Sequence, residues 1–370
     1  MNGSTKKVAA VAVVAAVVIV AAAAVMLNNN GSHDSGNGVT VTWTDDEKLF
    51  YIDVDFDYKF DEYLTTGSKT MADFYTYLEN NVTNGTKITG ASGNTGCSTF
   101  TATDEDGDLL MARNFDFRDC KAAVVHTDPE DGYESLSIVD LTMFSYTSGD
   151  TPTTLTGNDA LRAVAYIPLD GVNEMGVSVS INSVNNAAYG SMDNGKTAIF
   201  MTSALRLILD NAATTEEAVD LIMDYDLIMT HFHIMISDAS GNSVAVEVNG
   251  NDYYVTETPL LTNHYVSADL KDVLKVNESS QNRYDTIQTT LTSTGGVMST
   301  GECMDLLETV LQDEGISHQT KWSVVYNKTE GTMTLCLLMD YATEYSFSLS
   351  SSDAGDTATT TAGALVACEA

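Results

Sequence analysis

Strand-like alternation of apolar and polar residues covers much of the chain. Residues 98–103 and 109–115 are β-prone and flank an acidic, glycine-containing turn, so they are predicted to pair as an antiparallel hairpin. The alternating segment 177–182 predicts a further strand, and residues 231–237 with 243–248 predict a second hairpin. These patterns predict a large β-sheet component.

Helical spacing of apolar residues separates these strands. It predicts helices over 68–80, 201–211, 218–225, 283–291 and 300–312, several of them preceded by Ser, Thr or Asn suited to an N-cap. Strands mixed with helices in this way indicate an α+β fold. With 370 residues and 44% hydrophobic content, the chain can bury a sizeable core in one large domain or two small ones.

An apolar run over residues 8–27 follows Lys6 and Lys7. This pattern is typical of a signal peptide or of a signal anchor that spans the bilayer. In either case the rest of the chain is expected outside the cytoplasm, secreted or anchored to the membrane through this run. A buried core helix is the alternative, and an uninterrupted Val/Ala run at a terminus disfavours it.

The strongly negative net charge argues against binding to nucleic acids and to anionic membranes. The formal net charge is −35, whereas nucleic acids and anionic membranes attract clustered Lys and Arg. No nucleic-acid partner is therefore expected.

The cysteines and histidines offer little for metal binding. Five cysteines leave at least one thiol unpaired and allow up to two disulfides. No Cys-x-x-Cys pair is present, which disfavours zinc and thioredoxin-like chemistry. His231 and His233 lie at strand spacing and could be argued as a metal pair, but without a clear third ligand structural polar packing is favoured. We expect neither a metal nor a cofactor.

Cys97 begins the first predicted hairpin, and the pairing would bring Arg113 and Asp116 back towards it. A cation beside a thiol lowers its pKa, and a carboxylate can orient a nearby amine. An obvious base is missing, unless Cys97 becomes the first residue of the chain and its own α-amino group accepts the proton. This requires a cut after Gly96, whose lack of a Cβ suits a strained or exposed carbonyl. The alternative is a buried structural cysteine in an ordinary hairpin.

The first predicted hairpin resembles the start of the sequences of one enzyme superfamily. The resemblance lies in Gly-Cys-Ser-Thr-Phe at 96–100, a glycine-containing turn and Ala-Arg-Asn-Phe-Asp at 112–116. The superfamily is that of choloylglycine hydrolases and penicillin V acylases, with N-terminal nucleophiles, which also includes acid-ceramidase-like amidases and acyl-transferases that act on 6-aminopenicillanic acid. The resemblance covers residues 97 to about 349. It implies a four-layer α-β-β-α sandwich, as in N-terminal-nucleophile hydrolases.

The resemblance also assigns roles to three further residues. Asn182 ends the strand that follows the Asp-Gly-x-Asn-Glu-x-Gly motif at 170–176, predicted to be a turn, and its backbone would help form the oxyanion hole. Asn263, which with Thr262 ends a predicted apolar strand that begins at Leu260, would donate its side-chain amide to the oxyanion. Arg283, expected in the first turn of its helix, resembles the family's second arginine, which polarises the pocket; a surface ion pair is the alternative.

These assignments predict hydrolysis of a linear amide C–N bond in a small N-acyl substrate by an autocatalytically exposed Cys97, through a thioester. An acyl-transferase using the same thioester, and a catalytically silent, surface-anchored binding protein, stay open as alternatives. The expected organisation is an export segment with polar spacer (1–38), a pro-region (39–96), an N-terminal-nucleophile hydrolase domain (97–350) and a disordered tail (351–370).

Overall fold

A computed structural model describes most of the chain outside its two ends. The described residues are 32–34, 36–43, 48–88, 96–118, 120–144, 155, 157–313, 319–349 and 366–368. The predicted export run 8–27 and the predicted tail, apart from a short strand, lie outside these ranges, as does part of the linker that precedes Cys97. No helix within the described ranges is long and apolar enough to span a bilayer.

A ten-stranded sheet forms one half of the core. Its spatial order is β1-β2-β3-β6-β7-β8-β9-β12-β13-β14. The strands are β1 (Ser32–Asp34), β2 (Val39–Trp43), β3 (Phe50–Val54), β6 (Ala122–Thr127), β7 (Ser135–Asp140), β8 (Asp170–Asn173), β9 (Ser178–Ser183), β12 (Phe232–Ser237), β13 (Ser243–Asn249) and β14 (Asp252–Glu257).

A seven-stranded sheet, ordered β15-β4-β5-β16-β17-β18-β19, forms the other half. Its strands are β4 (Gly96–Thr103), β5 (Leu109–Phe117), β15 (Leu260–Leu261), β16 (Gln319–Asn327), β17 (Thr332–Leu337), β18 (Asp340–Ser348) and β19 (Val366–Cys368). A short parallel pair, β10 (Ala198–Phe200) with β11 (Asp226–Ile228), stands apart.

The described part of the chain also has α-helices, several of which lie on the outer faces of the two sheets. They are α1 (Phe60–Thr66), α2 (Met71–Asn81), α3 (Met201–Asn211), α4 (Thr215–Met223), α5 (Glu278–Thr294) and α6 (Thr300–Thr309). Helix α3 packs on β8 and β9 of the ten-stranded sheet, and α5 and α6 pack on β4, β5 and β16. The predicted four-layer α-β-β-α sandwich is confirmed.

The hairpin β4–β5 shows how alternation distributes its side chains between layers. Cys97 and Phe115 join the core between the two sheets, whereas Phe100 and Ala112 join the cluster under α5 and α6. Because successive strand residues point to opposite faces, one hairpin serves both layers. This places Cys97 on the face that meets β9 of the other sheet.

The segment before Cys97 is part of the same sandwich. Strand β3 pairs in parallel with β6, and β2 pairs with β3. Tyr63 packs against Tyr166 with ring centroids 5.5 Å apart, and its hydroxyl accepts a hydrogen bond from the amide of Phe200 at 3.0 Å. The described part of the predicted pro-region therefore contributes strands and aromatic side chains to the core.

Two motif predictions need correction. Residues 170–173 form strand β8, and only the following residues turn, because β8 is hydrogen-bonded on both sides by β7 and β9. The helix predicted to start at Arg283 starts at Glu278, with Asn277 as its N-cap. Arg283 therefore lies in the second turn rather than in the first.

Candidate active site

Cys97 sits at the second position of β4, opposite Phe115 in the antiparallel register. It is fully buried, and this burial raises the pKa of its thiol, whereas the guanidinium of Arg113 acts in the opposite direction. Nη2 of Arg113 lies 3.5 Å from Sγ of Cys97. The predicted approach of a cation to the thiol is present in this chain.

Arg113 is held in place by a buried set of acceptors. Its guanidinium donates to the carbonyl oxygens of Leu169 and Ile181, each at 2.5 Å, and pairs with the carboxylate of Asp170. Both side chains of this ion pair are inaccessible to solvent. A buried ion pair with this many additional bonds fixes the guanidinium beside the thiol.

Asp170 was not identified from the sequence as a site residue. Besides Arg113, it accepts hydrogen bonds from Nε1 of Trp322 at 3.0 Å and from the hydroxyl of Tyr326. These donors come from β16, so the carboxylate joins the two sheets. The only signal in the sequence is its place in the motif 170–176, which predicts a turn rather than a site residue.

Asp116 lies across the hairpin from Gly96. Its carboxylate accepts hydrogen bonds from Oγ1 of Thr320 at 2.7 Å and from Nε2 of Gln312 at 2.5 Å. Burial raises the pKa of the Asp116 carboxyl, and the nearby Arg283 opposes this shift. Gln312 and Thr320 are therefore part of the site, although nothing in their local sequence marked them.

Asn263 and Arg283 converge on the backbone of Cys97. Oδ1 of Asn263 accepts a hydrogen bond from the Cys97 amide at 3.0 Å and one from Nη2 of Arg283 at 2.7 Å. Arg283 also donates from Nη1 to the carbonyl oxygen of Cys97 at 2.7 Å and to Oγ of Ser98 at 2.6 Å. Arg283 is 7% exposed. The structure thus places Arg283 inside the site, not in a surface ion pair.

The side-chain nitrogen of Asn263 is engaged elsewhere. Nδ2 donates to the carbonyl oxygen of Ser183 at 2.8 Å. In this state of the chain, the group of Asn263 that faces Cys97 is the amide oxygen. Donation of the amide to an oxyanion remains a prediction, and it requires Nδ2 to share or exchange its bond to Ser183.

Asn182 lies in β9, on the far side of the space between the sheets. Its Oδ1 accepts a hydrogen bond from Oγ1 of Thr99 at 3.2 Å, and its Nδ2 faces the carbonyl oxygen of Leu261 at 3.3 Å. Asn182 is fully buried. The oxyanion role of its backbone remains a prediction, but the side chain ties β9 to Thr99 of β4.

The two histidines of the second predicted hairpin contact different residues. His233 bridges Oε1 of Glu247 at 3.1 Å and the carbonyl oxygen of Thr262 at 2.9 Å, which supports the segment that carries Asn263. His231 packs against the ring of Tyr189 with centroids 3.9 Å apart. Among the described residues, no group of three or more potential ligands could hold a metal ion.

Three of the cysteines have free thiols in the described structure: Cys97, Cys303 and Cys336. Two disulfides therefore cannot form among five cysteines, and the upper limit expected from the sequence is too high. Cys303 and Cys336 pack in the apolar cluster under α5 and α6.

The fold and the family whose model matches the chain together make this protein an acyl-amide hydrolase or acyl-transferase with the N-terminal-nucleophile fold. The chain belongs to the acyl-coenzyme A:6-aminopenicillanic acid acyl-transferase family, whose model matches residues 103–346. This match confirms the superfamily that the hairpin motif indicated. It contains Arg113, Asp116 and the later site residues, and it begins six residues after Cys97.

Solved structures with a similar fold have low sequence identity to this chain. Penicillin V acylase from Agrobacterium tumefaciens is 16% identical, with a TM-score of 0.48, over 65% of this chain and 83% of that chain. A variant of conjugated bile acid hydrolase from Clostridium perfringens is 14% identical, with a TM-score of 0.49, over 65% of this chain and 89% of that chain. No curated protein sequence matches the chain.

Proposed function

We propose that this protein cleaves the C–N bond of small linear N-acyl amides, with Cys97 as an N-terminal nucleophile formed by self-cleavage after Gly96. The observation that carries the proposal is the convergence of Arg113 on the thiol and of Asn263 and Arg283 on the backbone of the same cysteine. An ordinary structural cysteine needs neither two buried guanidinium groups nor an amide side chain around it.

Self-cleavage starts when the sulfur of Cys97 adds to the carbonyl carbon of Gly96. The C–N bond of the tetrahedral intermediate then breaks as the nitrogen takes up the proton that the thiol has lost, and Gly96 is left as a thioester on Cys97. Water hydrolyses this thioester to the Gly96 carboxylate and the free thiol. The nitrogen of Cys97 is now an α-amino group, which Oδ1 of Asn263 would orient; the two atoms lie 3.0 Å apart in the uncut chain.

Turnover repeats the same chemistry on an amide substrate. The α-amino group accepts the thiol proton, the thiolate attacks the acyl carbon, and the same amine returns the proton to the leaving nitrogen. Arg113 stabilises the thiolate, while the amide of Asn263 and the backbone of Asn182 would hold the oxyanion. Water then releases the acid from the thioester.

Acyl transfer is a second candidate, favoured by the name of the family model, which describes a transferase that uses 6-aminopenicillanic acid. It requires the same residues and differs only in that an amine, not water, attacks the thioester. The apolar run 8–27 adds the proposal that the enzyme acts outside the cytoplasm, secreted or held by that run.

The proposal is tested with chromogenic anilides of acetyl, phenoxyacetyl and long-chain acyl groups. We expect the wild-type chain to release the aniline from at least one of them, and Cys97→Ala to release none. Added 6-aminopenicillanic acid divides the two candidates, since a transferase forms the N-acyl product at the expense of the free acid. A chain that has exposed Cys97 but leaves every anilide intact would contradict the proposed activity.

A further inference from the structure

Glycine is required at position 96 by the lack of space for a Cβ atom rather than by the backbone conformation. Gly96 is not among the glycines of the described chain that have a positive φ. A Cβ built in the L position would collide with Nε2 of Gln312 and would lie 3.1 Å from Oδ2 and 3.2 Å from Cβ of Asp116. One side of the Gly96 α-carbon is therefore closed by two side chains of the site.

Gln312 is not free to move aside without cost to the site. Its Nε2 donates to Oδ2 of Asp116 at 2.5 Å, and its Oε1 accepts a hydrogen bond from Oγ of Ser279 at 3.2 Å. Its backbone amide donates at 2.9 Å to Oγ1 of Thr320, which itself donates to Asp116. A group that displaced the carboxamide would remove a hydrogen bond from a buried carboxylate.

Gly96 is the acyl part of the bond that Cys97 cleaves in its own chain. In turnover, the same sulfur attacks the carbonyl carbon of a substrate from the same fixed position. The carbonyl of the substrate therefore takes the place of the Gly96 carbonyl, and the α-carbon of its acyl group takes the place of the Gly96 α-carbon. Gln312 then lies beside the α-carbon of every acyl group that the site accepts.

We infer that the site acts on acyl groups with a CH₂ at the α-carbon, or with no substituent in the position of an L side chain, and that Gln312 enforces this selection. The inference rests on the proposed function and deepens it. It includes simple aryloxyacetyl and straight-chain acyl groups. It excludes acyl groups derived from L-amino acids other than glycine, and hence ordinary peptide bonds.

Activated esters test the inference on the self-processed protein without knowledge of the natural amine. The probes are p-nitrophenyl phenoxyacetate and the two enantiomers of p-nitrophenyl 2-phenoxypropionate. The S enantiomer carries its methyl group in the position of an L-alanine side chain. Acylation of Cys97 is followed by the p-nitrophenolate burst and by intact mass, with Cys97→Ala as the blank.

We expect the S enantiomer to acylate Cys97 at least about tenfold more slowly than phenoxyacetate, the factor that corresponds to one lost hydrogen bond to a charged group. We also expect it to react more slowly than the R enantiomer. Equal rates for the S enantiomer and phenoxyacetate would overturn the inference while leaving the nucleophile in place. Failure of all three esters to acylate Cys97 would overturn the proposed function, and the inference with it.

Self-cleavage provides an independent test that uses no added substrate. We expect Gly96→Ala to slow cleavage of the full-length chain, and Gln312→Ala to reduce that penalty when the two changes are combined. The comparison is made against Gln312→Ala alone, so that the loss of its bond to Asp116 cancels. Gly301→Ala is the matched control, because a Cβ there meets nothing within 4 Å. An equal penalty with and without Gln312 would contradict the assigned role.

Discussion

At the scale of single residues, the site depends on one buried cation and the anion that fixes it. Arg113 reaches the thiol because the Asp170 carboxylate and two carbonyl oxygens hold its guanidinium. A buried ion pair is weak as a source of stability, but removal of one partner leaves an uncompensated charge in the core. Asp170 therefore controls both the position of Arg113 and the integrity of the core around it.

Asp170→Ala should lower the free energy of unfolding by about 3 to 5 kcal/mol, the usual cost of breaking a buried charge pair. Urea unfolding is measured in the Cys97→Ala background, so that cleavage does not intervene. Glu330→Gln removes an exposed carboxylate as the matched control and should stay within about 0.5 kcal/mol of the parent. A small effect of Asp170→Ala would show that the guanidinium does not need this partner.

At the scale of elements, a histidine joins the segment before the cleavage point to the rest of the sheet. His126 in β6 lies 2.7 Å from Oδ1 of Asp53 in the neighbouring strand β3 and 2.9 Å from Oε1 of Glu134. Burial lowers the pKa of His126, but the bonds to the two carboxylates outweigh it and raise the pKa to about 9. At neutral pH the charged ring therefore bridges β3 to the rest of the sheet.

Because the folded-state pKa of His126 lies above its ordinary value of 6.5, its contribution is complete below about pH 6.5 and is lost as the pH rises through about 9. His126→Gln should therefore reduce stability at pH 7 by about 1 to 2 kcal/mol, a value discounted for the solvent that reaches Asp53. The difference between wild type and variant should disappear by about pH 10. A difference that stays constant between pH 7 and 10 would contradict the bridging charge.

The sequence predicted those helices and strands whose apolar residues recur at a regular spacing or whose ends carry typical turn residues. The hairpin of β4 and β5 was predictable because its residues alternate between apolar and polar on either side of an acidic turn. Helix α3 was predictable because its apolar residues recur at helical spacing. Strand β8 was predicted to be a turn because its Asp-Gly-Val-Asn sequence favours turns, and pairing with strands on both sides overrides that preference.

The site was only partly predictable for the same reason. Cys97, Arg113 and Asp116 belong to one hairpin, so their proximity follows from its register. Gln312 reaches Asp116 across 196 positions of the sequence, and Asp170 meets Trp322 across 152. Residues so far apart in the sequence meet only when whole sheets and helices pack together. A pattern among neighbouring residues does not predict such contacts.

At the scale of the whole molecule, the segment before Cys97 is a structural component of the sandwich. It supplies β2 and β3 to the ten-stranded sheet and a set of aromatic side chains that pack around Tyr166. Each buried aromatic residue contributes on the order of 1.5 to 3 kcal/mol of transfer free energy. This amount of buried contact is lost if the segment leaves.

Cleavage after Gly96 should therefore leave the two pieces associated. Gel filtration of the processed protein in buffer should give one peak that contains both fragments, and urea should separate them. Tyr63→Ala, which removes a fully buried ring from the interface, should release the N-terminal piece at lower urea than the parent. Two separate peaks without denaturant would show that the segment is a removable propeptide.

The most direct test is the N-terminal sequence and intact mass of protein produced without residues 1–38, beside the same protein with Cys97→Ala. The proposed mechanism predicts a new N-terminus at Cys97 in the parent and an intact chain in the variant, because the cut requires the thiol itself. An intact chain in both would contradict the N-terminal nucleophile and favour a catalytically silent binding protein. A cut at the same bond in both would assign the processing to another protease.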